Sequence, residues 1–112
     1  MFVVKPCETF TKSVHFSMIQ EDGTYKPQNF TAKFKRKSQS EIEQQLNETQ
    51  RTQDDDEFMK EVFIGWSDVK DPNGNIIEFS ETNRDLVLDI PEARRAVMTA
   101  YFEAYKGPVG KK

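Results

Sequence analysis

Apolar residues recur at every second position twice in the first third of the chain. In SVHFSMIQEDGTYKPQNFTAKFKRK, Val14, Phe16 and Met18 alternate with His15, Ser17 and Ile19, and Phe30, Ala32 and Phe34 alternate with Thr31, Lys33 and Lys35. A period of two puts successive side chains on opposite faces of a strand, so both runs are predicted strands with one apolar face. Asp22-Gly23 lies between them, but the stretch from Glu21 to Asn29 is long for a two-residue turn, and Pro27 is unsuited to a central strand. The expected unit is an antiparallel hairpin with a loose loop, half buried under helices.

After Lys37 the pattern turns helical. Ser38 or Ser40 is a candidate N-cap, and Glu41 and Glu43 sit where a helix N-terminus favours negative charge. Ile42 and Leu46 form a thin stripe, which predicts a surface helix fraying into residues 50–53 and a mobile loop, with residues 47–57 ordering on contact with a partner. The acidic run from Asp54 to Glu57 then opens a second helix, in which Met59, Val62, Phe63 and Trp66 follow the spacing i, i+3, i+4, i+7 of a buried face. Asp71-Pro72-Asn73-Gly74-Asn75 predicts a tight turn, because Pro72 presets a negative φ and Asn73-Gly74 tolerates positive ones. Residues 75–79 read as a short strand or extended segment. Ser80 caps a third helix whose buried side is Leu86, Val87 and Ile90, and Pro91 makes a corner into a fourth helix that stops at Gly107-Pro108. The small face of that last helix, Ala93, Ala96, Val97, Ala100 and Ala104, is expected to pack on the second helix.

These elements predict an α+β fold, a small N-terminal antiparallel sheet packed on three to four helices. One domain is expected over residues 1–112: a hairpin region at 10–37, a helical region at 38–106 with its tight turn at 71–75, and a flexible tail at 107–112. A chain of 112 residues is too short for two independent cores.

Charge sharpens the picture. Residues 1–37 carry seven Lys/Arg against three Asp/Glu, residues 38–92 four against fifteen, and residues 93–112 five against one. The acidic middle opposes nucleic acid and anionic membranes. The one basic, aromatic-interleaved stretch, Lys33-Phe34-Lys35-Arg36-Lys37, reads as a strand with its Phe turned inward. The sequence has no apolar run long enough to span a bilayer and no signal-peptide pattern at its start, and Cys7 has no second cysteine to pair with, so a soluble protein of a reducing compartment is expected.

Candidate chemistry is sparse. His15 stands among polar strand residues without a nucleophile in its pattern, and Cys7 alone forms neither a redox pair nor a zinc site. The turn at 71–75 invites a calcium reading: with Gly74 at loop position 6, Asp71 and Asn73 fall at positions 3 and 5. Position 1 is then Val69 and position 12 Ser80, so two essential carboxylates are missing. No enzymatic activity, no cofactor and no metal are expected.

The second half of the chain resembles the tail assembly chaperones of long-tailed bacteriophages and prophages. The features that carry the resemblance are Phe58 and Val62 ahead of Gly65-Trp66, then Val69, Asp71 and Gly74, then Phe79-Ser80 and Asn83, the Leu86 to Leu88 region, Pro91, and the helix through Ala96-Val97 to Tyr101. Upstream, Phe30 to Arg36 followed by Ser40-Glu41-Ile42 fits the strand-to-helix passage of that family, while the N-terminal strand is unmatched. The resemblance implies a non-enzymatic protein of the host bacterial cytoplasm that coats the tape measure protein until tube subunits assemble, and that is not expected in the mature virion. It also implies a tail tube contact through a longer frameshift product. A homo-oligomer is compatible with it; nucleic acid and membrane are not expected partners. The alternatives are a virion tail-completion or connector protein, or a nucleic-acid-binding regulator. Met98, Tyr101, Phe102 and Tyr105 widen the apolar arc of the last helix beyond what one neighbour needs and are the candidate partner-binding residues, unless they fill the core.

Overall fold

The computed structural model describes residues 2–47 and 52–106. Strands β1 (Thr9–Ile19) and β2 (Tyr25–Lys35) pair antiparallel along their whole length, from Thr9 opposite Lys35 to Ile19 opposite Tyr25. The loose loop expected between them is instead a closed turn at residues 20–24. The Gln20 N–H donates to the Thr24 carbonyl at 2.7 Å, and the Asp22 carboxylate accepts from the Thr24 N–H and hydroxyl.

Pro27 stands inside β2, opposite Ser17. Even-numbered residues direct their backbone groups into the hairpin, as the Gln20 N–H does, whereas the odd-numbered Ile19 donates its N–H outside it, to Glu92 Oε2 at 3.2 Å. Pro27 is odd-numbered, and the third strand meets β2 only at residues 31–34. Its missing N–H therefore faces an unpaired stretch, where a ladder loses nothing.

Helix α1 (Gln39–Asn47) opens with a reciprocal cap: the Glu41 carboxylate accepts from the Ser38 N–H at 2.9 Å and the Ser38 hydroxyl accepts from the Glu41 N–H at 3.3 Å. Ile42 is buried. Helix α2 (Thr52–Val62) begins two residues before the acidic run, so residues 52–57 are helical; residues 48–51, where the mobile loop was expected, lie outside the described residues.

The helix expected to continue through Trp66 ends at Val62. Phe63–Ser67 is strand β3, antiparallel to β2, giving a three-stranded sheet of order β1-β2-β3. Trp66 pairs with Ala32 and Gly65 with Lys33, but Phe34 pairs with Phe63, so Ile64 is an extra residue on β3. This bulge turns Phe63 and Trp66, three apart, to the same face, a spacing otherwise typical of a helix. Gly65 suits the close pairing, because a Cβ there would stand 3.3 Å from the Lys33 Cβ.

Helix α3 (Glu81–Leu88) is capped by Ser80, whose hydroxyl accepts from the Asn83 N–H at 3.1 Å, and α4 (Pro91–Glu103) starts with Pro91 in its first turn, as expected. A short 3-10 turn, Ala104–Lys106, extends α4; the stop expected at Gly107-Pro108 and the tail at 107–112 lie outside the described residues. On α3 the expected inward side is revised: Leu86 is 62% exposed and Leu88 is 4% exposed, with Val87 and Ile90 half-buried. The small face of α4 lies on β1 rather than on α2. Alanines let a helix approach a sheet closely, and α2 reaches α4 through longer side chains: Phe58 packs on Tyr101 and Phe102, and Asp56 pairs with Arg94 at 2.8 Å.

The result is an α+β fold with one sheet face covered. Val14, Phe34, Met59, Val62, Phe63, Val97 and Tyr101 are fully buried between the layers, while His15, Lys33 and Lys35 lie on the exposed face. No helix among the described residues is long and apolar enough to cross a membrane.

Candidate functional site

The four residues singled out on α4 do not form one surface. Tyr101 is fully buried; its hydroxyl donates to the Lys35 carbonyl at 3.2 Å and accepts from the Tyr105 hydroxyl at 2.9 Å. Tyr105 accepts in turn from the Lys37 N–H at 3.1 Å and lies under the Arg36 guanidinium. This relay ties the end of α4 to the junction of β2 and α1, and burial, with the Tyr105 hydroxyl beside it, pushes the Tyr101 phenol well above its ordinary ionisation range. Phe102 stacks on Phe58 with ring centroids 5.9 Å apart, and Met98 is half-buried against the same cluster. A shallow hollow lies beside Met98 and Phe102.

The more extensive apolar feature lies at the opposite end of the sheet. A groove of about 280 Å³ runs between the sheet and α3, floored by Phe16, Met18, Phe30 and Trp66 and walled by Val69, Ile77, Leu86, Val87 and Ile90. Gln28, Asn29, Asp68, Lys70 and Asn83 rim it. Every layer of the fold contributes, which is why no local motif announces it.

The tight turn builds one wall. The Gly74 N–H donates to the Asp71 carbonyl at 2.9 Å, the Asp71 N–H donates to the Asn75 carbonyl at 2.9 Å, and Gly74 sits at φ +86. Asp71 turns its carboxylate inward to accept from the N–H groups of Asn73 and Asn75 at 3.0 and 2.9 Å, a structural task for the residue that suggested calcium. Lys70 bridges to Ile76 and the Ile77 N–H donates to the Val69 carbonyl at 2.8 Å, so the turn closes a miniature hairpin. Trp66 fixes that hairpin against the sheet: its Nε1–H donates to the Ile77 carbonyl at 2.8 Å and its ring meets Phe79 edge-on at 5.0 Å. Asp68, at φ +69, makes the bend out of β3, a conformation that Asp tolerates better than most residues. On the other wall, Asn83 donates to the Glu78 carbonyl at 2.9 Å and holds α3 to the miniature hairpin.

The charges on the groove itself are balanced, Asp68 and Lys70 both standing on its rim. Glu81, Asp85 and Asp89 stand exposed along α3 and its C-cap but do not line the groove: Asp85 pairs with Arg84 at 3.1 Å, Arg84 also donates to the Lys60 carbonyl at the end of α2, and Asp85 and Asp89 line a separate hollow with Lys60 and Arg94. The α3 wall of the groove thus presents Asn83, Leu86 and Val87. Such a surface takes up an apolar stripe flanked by polar groups.

The other sequence candidates are scattered. His15 and Cys7 are exposed on different elements. Phe34, the aromatic of the basic stretch, is fully buried, and Lys37 pairs with Glu61 and lies 3.8 Å from Glu41. Among the described residues no group of three or more His, Cys, Asp or Glu could hold a metal ion. No family model, curated protein or solved structure matches the chain.

Proposed function

We propose that this protein is a tail assembly chaperone that holds an apolar helical stripe of a phage tape measure protein in the groove between its sheet and α3. The observation that carries the reading is the groove itself, an apolar cleft with Leu86 62% exposed on its wall and the side chain of Trp66 on its floor. Several residues that carry the family resemblance, Phe30, Trp66, Val69, Asn83 and Leu86, line it. At about 280 Å³, the cleft lies just below the roughly 300–1,000 Å³ of small-molecule pockets. It suits a few side chains of a docked helix better than an enclosed ligand. A tape measure without its tube exposes long apolar faces that aggregate, and covering them requires a surface of this kind rather than a reaction.

The occupant that fits is an amphipathic helix whose apolar stripe is flanked by polar groups within reach of Asp68, Lys70 and the amide side chains of the rim. The action belongs in the host cytoplasm before the tube forms. Co-expression with the tape measure protein of the same phage is the test: the wild-type chain should keep it soluble and co-purify with it, and Leu86→Asp, at an exposed position, should fold normally and lose it. Equal capture by Leu86→Asp would refute the groove as the site. Stoichiometric recovery of the protein in purified virions would instead favour a tail-completion component.

A further inference from the structure

A second surface is the outer edge of β1. The sheet order leaves this edge without a neighbouring strand among the described residues. Because odd-numbered residues turn their backbone groups away from β2, Thr9, Thr11, Ser13, His15 and Ser17 present their N–H and C=O groups along it. At Ile19 the run stops, since Glu92 accepts that N–H at 3.2 Å. The open stretch is therefore centred on Ser13.

Edge strands that avoid pairing carry Pro, a bulge or charged side chains, or are short. The remaining free edges of this sheet have such guards: Pro27 interrupts the open part of β2, and β3 is five residues long and bulged. The β1 strand has eleven residues in unbroken register with β2; its outward-facing positions from Thr9 to Ser17 are Ser, Thr and His, and its single formal charge, Lys12, is on the inner face, where it lines the cleft under α4.

Above this edge, α4 sets out a charge pattern that is its own complement. Glu92, Arg95, Thr99, Glu103 and Lys106 follow one another along one side of the helix and its 3-10 extension, and all but Lys106 line the cleft of about 380 Å³ that β1 forms with α4. Reversing the direction of the row about Thr99 sets Glu92 against Lys106 and Arg95 against Glu103. Ser13, the centre of the open edge, lines the same cleft as Thr99, the centre of the charge row.

From these two coincident centres we infer that two copies of this chain associate across a two-fold axis near Ser13, with β1 pairing antiparallel to β1 of the second copy. The pairing joins the two sheets into one through on the order of ten main-chain hydrogen bonds, Thr9 facing Ser17, Thr11 facing His15 and Ser13 facing itself. The paired α4 helices place Arg95 beside Glu103 of the second copy, twice by symmetry.

Light scattering with size-exclusion chromatography on the full chain, over a concentration series, tests this. The mass should rise to twice the single-chain 13.1 kDa. Ser13→Pro removes an N–H that the hairpin does not use; it should leave the far-UV circular dichroism unchanged and give the single-chain mass. Arg95→Glu, which sets like charges against each other at two symmetric places, should weaken the dimer by about tenfold or more. Adding Glu103→Arg to Arg95→Glu should restore it, whatever Ser13→Pro does to folding. A wild-type chain that stays monomeric, a folded Ser13→Pro that stays dimeric, an unweakened Arg95→Glu or a failed restoration overturns the inference.

Discussion

Replacing Tyr101 by Phe removes one oxygen from the centre of the fold and isolates the contribution of the tyrosine relay. The ring, which packs against Phe10, Phe34 and Phe58, is retained, so no sizeable cavity opens. Two hydrogen bonds disappear: the one donated to the Lys35 carbonyl at 3.2 Å and the one accepted from Tyr105 at 2.9 Å. A buried acceptor left without a donor costs about 1–3 kcal/mol, whereas the half-buried Tyr105 hydroxyl regains water, so the net loss should be about 1.5–2.5 kcal/mol. At roughly 4 °C per kcal/mol for a domain of this size, the melting temperature should fall by about 6–10 °C. Tyr105→Phe, which leaves the Lys37 N–H without its acceptor but spares the Tyr101 to Lys35 bond, should cost about 1 kcal/mol. Because the two hydroxyls share a bond, the double variant should lose about 0.5–1 kcal/mol less than the sum of the singles. Urea denaturation followed by Trp66 emission and by circular dichroism measures all three. A Tyr101→Phe protein within about 0.5 kcal/mol of wild type, or strictly additive losses, would show that the relay contributes nothing to the join between α4 and the sheet.

The revised inward side of α3 predicts a contrast between neighbours: Leu88→Ala should destabilise by about 2–4 kcal/mol and Leu86→Ala by less than about 0.5 kcal/mol in the same denaturation assay, and equal losses would restore the earlier orientation. Acid stability should depend on Asp56. Its hydrogen bond from Arg94, and then that from Lys60, holds its carboxyl below the ordinary 3.8, so the stability it adds is present above that pH and is lost as the pH falls from 3.8 through the lowered folded-state value. Asp56→Asn should therefore give a shallower decline in melting temperature below pH 4 than wild type; parallel declines would remove Asp56 from the acid response.

The elements that were legible in the sequence are those in which local chemistry and tertiary burial agree. The alternation through Val14 and Phe30 survives because one face of the hairpin is buried, and Ser80 and Pro91 act within one turn of their own positions. The strand at Phe63–Ser67 was hidden because its bulge gives Phe63 and Trp66 a helix-like spacing, and because the open edge of β2 that recruits it lies some thirty residues upstream. Leu86 and Leu88 share a helix of only eight residues, too short for spacing alone to choose between them. In α4 the amphipathic pattern identified a buried side correctly but not what would cover it. Tyr101 is core because a small fold needs its aromatics inside, while Tyr105, Phe102 and Met98 are half-buried against it. The groove draws on three strands, the turn and α3, and its only sequence signal was an excess of apolar residues, Val69, Ile77, Leu86 and Val87, around the single tryptophan.

Trp66 makes the central claim directly measurable, since the chain's sole tryptophan lies on the groove floor and is half-buried. Titrating the protein with soluble helical fragments of the tape measure protein should shift its emission to the blue and saturate at a fixed stoichiometry, and Leu86→Asp should abolish the shift. Binding that leaves Trp66 emission unchanged, or a shift that Leu86→Asp does not alter, would contradict the proposed docking of a tape measure helix in this groove.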